Sequence, residues 1–191
     1  MSSYTLTHLI PLGIISFLTG YYARDYLKKQ RAHLKVTKAP QSESESEYEE
    51  SSDDEGIDVD SRELNEIPGP VKMALVIQQG LKMTKGKAAA QCSHATLGLY
   101  RKISNPYSEA YNPEMLKRWE YENGQAKITL QVPNKEEMDM LYAKAISLGV
   151  NCYMVIDAGR TQVDPGSATV LGLGPAPKLV LDQITGDLRL Y

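Results

Sequence analysis

Hydrophobic and polar positions after residue 70 follow the pattern that is typical of a layered α/β domain. The apolar run 72–77 predicts a buried strand, because it is short and rich in branched side chains. Further strands are predicted at 126–132, 151–156 and 169–174, and residues 188–191 are compatible with a return to the sheet. Strands that alternate with helical segments predict an α/β fold with a mixed sheet.

Apolar residues at helical spacing, together with capping residues, predict the helices between these strands. Thr84 is placed as the N-cap of the first helix, and Asn112 followed by Pro113 opens the second. Asn134 caps the third helix and Gly149 ends it. The predicted helices span 85–103, 113–121, 135–148 and 178–185.

The first 39 residues combine an uncharged run with a basic flank. Residues 4–23 carry no charged side chain and are about the length that crosses a bilayer as a helix. Six Lys and Arg residues follow between 24 and 38, whereas a secretory signal carries its charges before the apolar run. The pattern predicts a single-span membrane anchor with the rest of the chain in the cytosol. A disordered leader, or one lying in the membrane interface, is the alternative.

Residues 40–69 have a different, acidic character. The segment 41–55 consists almost entirely of Ser, Glu and Asp, so it holds too little apolar surface to offset its ordering entropy. We therefore predict an extended, disordered linker over 40–69, closed by Pro68, Gly69 and Pro70. The folded domain is then expected to span 70–191.

Charge divides unevenly between the two parts of the chain. Seven of the 21 basic and 13 of the 24 acidic residues lie in 1–69, which leaves 14 − 11 = +3 for the remainder. This domain is compatible with a polyanionic partner, although most nucleic-acid modules are more basic. Cys92 and Cys152 lie in apolar patterns and are predicted to be buried, reduced thiols. No Cys or His spacing indicates a metal site.

Two polar segments follow predicted strands, and the first opens helix 85–103. Lys85 and Lys87 lie in its first turn, where cations oppose the helix dipole. Positive charge beside unpaired N–H groups suits a phosphate or an oxyanion, and a solvated helix start is the alternative. Gln91 and His94 follow on roughly the same face. His94 is either a catalytic base or an ordinary core or surface histidine.

The second polar segment, 157–167, follows the strand 151–156 at its carboxyl end. Ligands bind α/β sheets at that edge. Asp157 is suited to act as a base or to orient a lysine or a water, and Arg160 is suited to bind phosphate. On spacing alone, a plain polar loop remains the alternative.

The two segments together resemble one family. The sequences K-M-x-K-G-K-x-A-A-Q-C-S-H-A at 82–95 and D-A-G-R-T-Q-x-x-P-G-S-x-T-V-L-G at 157–172 resemble the archaeal/eukaryotic-type peptidyl-tRNA hydrolases, the Pth2 family. The resemblance covers 71–191. It implies an α/β domain with a mixed four-stranded sheet flanked by helices on both faces. The membrane leader resembles that of members found at mitochondria, which implies the mitochondrial outer membrane facing the cytosol, with the cytosol as the alternative.

The resemblance also implies an activity: hydrolysis of the ester of peptidyl-tRNA without a cofactor or metal. Carried over by motif position, the proposed catalytic group is Lys85, Asp157 and Thr161, with His94 and Gln91 beside it. The tRNA backbone is expected to run along Lys82, Lys87 and Arg160. The family commonly has an Arg and an Asp just after the first strand, where this chain has Gln78 and Gly80.

The expected chemistry assigns one task to each member of the catalytic group. Asp157 would orient or deprotonate the attacking water, and Lys85 would stabilise the oxyanion or the leaving ribose oxygen. Thr161 would hold the water or the substrate. Expected partners are tRNA, a membrane through residues 4–23 and, as an open question, a second copy of the chain. The rival hypothesis is a non-enzymatic scaffold on the mitochondrial surface, or an RNA-binding or signalling adaptor.

Overall fold

A computed structural model describes residues 57–159 and 163–191, and five of its strands form one mixed sheet in the order β3-β4-β1-β2-β5. The strands are β1 (Val71–Gln78), β2 (Lys127–Val132), β3 (Cys152–Asp157), β4 (Ser167–Pro177) and β5 (Arg189–Leu190). The predicted mixed α/β fold is confirmed, but the count of four strands is wrong. The fifth is the two-residue return near the C-terminus, which pairs with β2 at the sheet edge.

Four α-helices connect the strands: α1 (Lys85–Ser104), α2 (Pro113–Lys117), α3 (Lys135–Ser147) and α4 (Lys178–Thr185). Three short turns accompany them, the 3-10 helices Arg62–Glu66 and Gln79–Leu81 and the π-helix Arg118–Glu122. The predicted caps are confirmed, because the side chains of Thr84, Asn112 and Asn134 each accept a backbone N–H from the first turn. The α-helical part of the second helix ends at Lys117, before the predicted residue 121.

Helices cover both faces of the sheet, as the side chains of β1 show. Leu75 and Ile77 pack in a cluster with Ala88, Cys92 and Ala95 of α1. Their neighbours Ala74 and Val76 belong to the larger core with Met138 of α3 and Leu181 of α4. Successive side chains of a strand point to opposite faces, so α1 lies on one face while α3 and α4 lie on the other.

Strand direction determines which residues share an edge of the sheet. β1 is parallel to β2, and β3 is antiparallel to β4, which is itself antiparallel to β1. The carboxyl ends of β1, β2 and β3, at Gln78, Val132 and Asp157, therefore lie at one edge. α1 begins at the same edge, since only a short turn separates it from β1.

The residues before β1 pack on the domain instead of leaving it as a linker. Val59 and Leu64 are buried in the core, and the buried side chain of Asn112 donates to the Ser61 carbonyl at 3.1 Å. Residues 57–69 therefore form a strap that packs on the domain, N-terminal to residue 70, where the sequence placed the domain boundary. A few apolar side chains in this polar stretch suffice to anchor it.

The predicted membrane anchor, 4–23, lies outside the described residues, as does the acidic segment 41–55. Among the helices of 57–159 and 163–191, none is long and apolar enough to span a bilayer.

Candidate active site

Asp157 ends β3 and is surrounded by hydrogen-bond donors. Its side chain is only 5% exposed. The Lys87 ammonium forms an ion pair with Oδ2, and Gln91 Nε2 donates to the same oxygen at 2.9 Å. The backbone N–H of Gly159 donates to Oδ1 at 2.8 Å. One buried carboxylate thus accepts hydrogen bonds from three donors, two on α1 and one just after β3.

The face that α1 presents to β3 brings these groups together. Lys87 and Gln91 are four residues apart, so they lie on one side of the helix. The helix lies close to the sheet at Gly172 of β4, where an added Cβ would approach Leu99 Cδ1 to 2.9 Å and Ala95 Cβ to 3.3 Å. The absence of a side chain at Gly172 therefore lets α1 approach closely enough for Gln91 to reach Asp157.

Thr169 of β4 contacts Gln91 of the cluster. It was not singled out as a site residue from the sequence. It is fully buried, and its hydroxyl lies 2.8 Å from Gln91 Oε1 and 3.1 Å from the Val155 carbonyl oxygen. Because Gln91 Oε1 accepts from this hydroxyl, its amide nitrogen faces Asp157. The available signal was a polar side chain within the otherwise apolar run of β4, since buried polar groups are almost always paired.

The surroundings of Asp157 set its charge. Burial raises the pKa of this carboxyl, but hydrogen bonds from Lys87, Gly159 and Gln91 together with the lysine charge outweigh burial, so the pKa lies below its ordinary value of 3.8. Asp157 is therefore ionised at neutral pH. A carboxylate held in this way is a weak base, better suited to hold a cation or orient a water than to take a proton outright.

Lys87, and not Lys85, is the lysine that contacts Asp157. Each helical residue turns the chain by about 100°. Two side chains that are two positions apart therefore lie on nearly opposite sides of α1. Lys85 is exposed and lines a groove on the far side of the helix. Lys85, which the sequence placed in one catalytic group with Asp157, therefore points away from that carboxylate. Lys87, expected along the tRNA backbone, has its charge directed into the cluster instead.

The other predicted site residues have different positions. His94 is exposed, three residues beyond Gln91, and among the described residues it has no hydrogen bond to the Asp157 cluster. Lys82 is exposed at the sheet edge where α1 begins, in a left-handed backbone conformation with φ 49°. Arg160 and Thr161 lie outside the described residues.

The two departures from the family pattern lie at the end of β1 and in the turn that follows it. The Gly80 N–H donates to the Pro133 carbonyl at 2.9 Å, and a Cβ at Gly80 would lie 2.8 Å from that same oxygen. Gln78 is half-buried at the end of β1. The turn therefore approaches the loop after β2 so closely that an aspartate at position 80 would have to move it.

Both cysteines are buried free thiols, as predicted. Burial raises the pKa of Cys152 to about 11 and also raises that of Cys92. Neither thiol is therefore a ready nucleophile at neutral pH. Within residues 57–159 and 163–191, no group of three or more His, Cys, Asp or Glu side chains could hold a metal ion.

Comparison with known proteins gives consistent matches. A family model described as peptidyl-tRNA hydrolase PTH2 matches residues 71–191, more than half of the chain. Peptidyl-tRNA hydrolase 2 of Saccharomyces cerevisiae is 66% identical over 134 residues, which cover 70% of this chain and 64% of that protein. The mitochondrial peptidyl-tRNA hydrolase 2 of Homo sapiens is 50% identical over 123 residues, which cover 64% of this chain and 65% of that protein.

An archaeal relative is matched along almost its whole length. The peptidyl-tRNA hydrolase of Sulfurisphaera tokodaii is 44% identical over 119 residues, which cover 62% of this chain and 97% of that protein. In contrast, the chain spans less than two thirds of the length of the yeast and human relatives. The similarity is therefore concentrated in the α/β domain that contains Asp157.

Proposed function

The chain belongs to the peptidyl-tRNA hydrolase PTH2 family, and from this premise we propose that it hydrolyses the ester bond of peptidyl-tRNA, releasing free tRNA and peptide. The observation that carries the proposal is the cluster of Asp157, Lys87 and Gln91 at the carboxyl edge of the sheet. The archaeal relative supports assigning the activity to this domain, because the matched region makes up 97% of a protein named peptidyl-tRNA hydrolase.

The reaction requires a nucleophile and a stabilised oxyanion. The ester joins the peptide carboxyl group to a ribose hydroxyl at the 3′ end of the tRNA. A water attacks the carbonyl carbon and gives up a proton, and negative charge develops on the carbonyl oxygen. The bond from the carbonyl carbon to the ribose oxygen then breaks, and the ribose oxygen gains a proton. Preorganised N–H donors or positive charges aimed at that oxygen stabilise such a transition state.

Lys87 is the group that we assign to the developing negative charge. Its ammonium has three donors, and one of them is directed at Asp157. The remaining donors are available to the oxyanion or to the leaving ribose oxygen. Asp157 therefore acts partly through Lys87, since the ion pair fixes the ammonium at the end of a long, flexible side chain.

Asp157 also has room for the attacking water. A carboxylate offers about four acceptor positions, and Lys87, Gln91 and Gly159 occupy three of them. The remaining position orients a water toward the ester carbonyl. His94 is the alternative base, because it follows Gln91 on the same side of α1. We retain Thr161 as the residue that holds the water or the substrate.

The tRNA is held through its phosphates in this proposal. Lys82 and Lys85 are exposed at the edge where α1 begins, close in sequence to the cluster but outside it. Arg160 follows Gly159 in the sequence and is assigned to the same phosphate contacts. Such contacts position a nucleic acid without reading its sequence, which suits an enzyme that accepts many tRNAs.

Hydrolysis of an N-acetyl-aminoacyl-tRNA by the full-length chain tests the proposed function. We expect release of both free tRNA and the N-acetyl amino acid, and a loss of at least about 100-fold in kcat/KM for Asp157→Asn. The variant should keep the circular dichroism spectrum of the wild type. Absence of ester cleavage by the wild type, under conditions where the protein is folded and binds tRNA, would refute the proposal and favour the scaffold hypothesis.

We propose separately that residues 4–23 anchor the chain in the mitochondrial outer membrane, with the catalytic domain in the cytosol. The support is the uncharged run followed by six basic residues, and a human relative whose name includes the word mitochondrial. Full-length protein should resist carbonate extraction from mitochondria, while external protease should release the domain. Extraction of the full-length protein by carbonate would contradict the anchor and leave the hydrolase proposal intact.

A further inference from the structure

A groove of about 670 Å³ lies on the other side of α1 from Asp157. It exists because α1 leaves part of one sheet face uncovered. On β2, Leu130 and Val132 are buried on the opposite face, while Lys127 and Thr129 are exposed and line the groove. Small residues of α1, among them Ala89, face it from the side.

The lining of the groove suits an apolar chain more than a nucleotide. Leu75, Ile77 and Trp119 line it with side chains that are each less than 5% exposed. Leu97 and Tyr100 of α1, 48% and 37% exposed, add apolar surface to it. A soluble domain seldom leaves large apolar side chains around a cavity of this size unless a ligand or partner covers them.

One end of the groove lies at the first turn of α1, the turn that also carries Lys87 of the proposed catalytic cluster. Lys85 lines one end, and only Gly86 separates it from Lys87 in the first turn of α1. A Cβ at Gly86 would meet nothing within 4 Å, so the space beside this residue, between the two lysines, is open. A chain whose carboxyl end lies at Lys87 can therefore cross the helix start and enter the groove.

The length of the groove defines what it can hold. It follows α1 from Lys85 to Tyr100, and fifteen residues of helix at 1.5 Å each give about 22 Å. An extended peptide advances about 3.3 Å per residue, so about six residues fit along this distance.

We infer that this groove binds the peptide moiety of peptidyl-tRNA, as an extended segment of about six residues with apolar side chains. The inference rests on the proposed function, since it assigns the acyl side of the same substrate. The peptide carboxyl end lies at Lys87 and the segment runs toward Tyr100. Binding energy from this remote part of the substrate then raises kcat/KM above that of a substrate with one amino acid.

Peptide length and a groove-filling substitution test the inference on the full chain. The substrates are tRNA carrying N-acetyl-glycine and tRNA carrying an N-acetylated hexapeptide of Leu, Val and Ala. The ratio of their kcat/KM values should be at least about tenfold in favour of the hexapeptide. Ala89→Phe should bring that ratio close to one. Ala143→Phe, on the exposed surface of α3, adds the same ring outside the groove and should preserve the ratio.

The possible results separate this inference from the proposed function. Equal cleavage of both substrates by the wild type would overturn the inference and leave the hydrolase proposal standing. Cleavage of neither would refute the hydrolase proposal. If Ala89→Phe changed the sedimentation coefficient of the chain without changing the ratio, the groove would be a contact between two copies and the inference would be wrong.

A binding measurement does not depend on turnover or on a single variant. Trp119 is the one tryptophan of the sequence and lines the groove, so its emission reports occupancy. Titration with the acetylated hexapeptide amide should give a saturable change in the wild type and in Ala143→Phe. The change should be lost in Ala89→Phe and in Ser93→Phe, a second filling variant farther along α1. No change in the wild type would overturn the inference.

Discussion

Lys85 and Lys87 differ by two positions in the chain and by the side of α1 on which they lie. Lys87 contacts the buried Asp157, whereas Lys85 faces the groove on the opposite side. A motif that contains both lysines identifies the segment but not the lysine that carries the chemistry. Helical geometry, combined with the position of β3, determines which of the two lysines contacts Asp157.

The first prediction separates the two lysines by kinetics. Lys87→Ala should lower kcat/KM by about 100-fold or more, because it removes the cation assigned to the oxyanion. Lys85→Ala should raise KM by a few-fold and change kcat little, since Lys85 is assigned to phosphate. Steady-state hydrolysis of N-acetyl-aminoacyl-tRNA measures both. The reverse order of the two effects would return the catalytic role to Lys85.

The second prediction concerns pH. Burial raises the pKa of Asp157, but its three donors and the charge of Lys87 bring it below 3.8, so the carboxylate stays ionised as the pH falls toward that value. A rate that needs ionised Asp157 should therefore be constant between about pH 5 and pH 8. A rate that depends on a neutral imidazole as the base should fall as the pH is lowered across the same interval, because protonation removes the base. A decline that disappears in His94→Gln would assign the base to His94 instead.

At the scale of elements, local patterns predicted more than long-range contacts. The helices and their caps at Thr84, Asn112 and Asn134 follow from residues within one turn, so the sequence was sufficient. The pairing of Lys87 with Asp157 joins residues 70 positions apart, and only the sheet order brings them together. Composition likewise missed the strap at 57–69, because two buried apolar side chains in a polar stretch barely change its average hydropathy.

The third prediction compares two Asn caps that differ in their surroundings. Asn134 caps α3 at an exposed position, so Asn134→Ala should cost about 1 kcal/mol of unfolding free energy. Asn112 caps α2 and also donates to the strap at Ser61. Asn112→Ala should cost about 2–3 kcal/mol, since a buried polar group of the strap loses its partner.

Urea unfolding of the full chain measures both free energies. The wild type and the two variants should share one m-value if the native domain keeps its extent. Equal losses for the two variants would mean that the strap adds nothing to the stability of the domain.

At the scale of the whole molecule, one edge of the sheet gathers the proposed functions. β1, β2 and β3 end there, α1 begins there, and the groove opens there. The alternation of strands and helices along the chain predicted an α/β fold. It also predicted that ligands bind at this edge of the sheet. The groove could not be predicted, because it depends on which part of a sheet face α1 leaves uncovered.

The fourth prediction concerns tRNA binding at this edge. Lys82→Ala and Lys85→Ala should each weaken binding of uncharged tRNA and reduce the slope of log affinity against log salt by about one. Arg101→Ala, at the exposed far end of α1, is the matched control and should leave the slope unchanged. Filter binding at several salt concentrations gives the slopes. Equal effects at both ends of α1 would indicate diffuse attraction instead of a defined phosphate track.

The central claim is that Lys87 and Asp157 hydrolyse the ester of peptidyl-tRNA as one unit. A double-mutant cycle on kcat/KM for N-acetyl-aminoacyl-tRNA tests it most directly, with the full chain, Lys87→Ala, Asp157→Asn and the double variant. When two groups act as a unit, removing either one lowers kcat/KM nearly as much as removing both. We therefore predict that each single variant loses about 100-fold or more and that the double variant loses little beyond this. Additive losses, or turnover that survives in all three variants, would contradict the account.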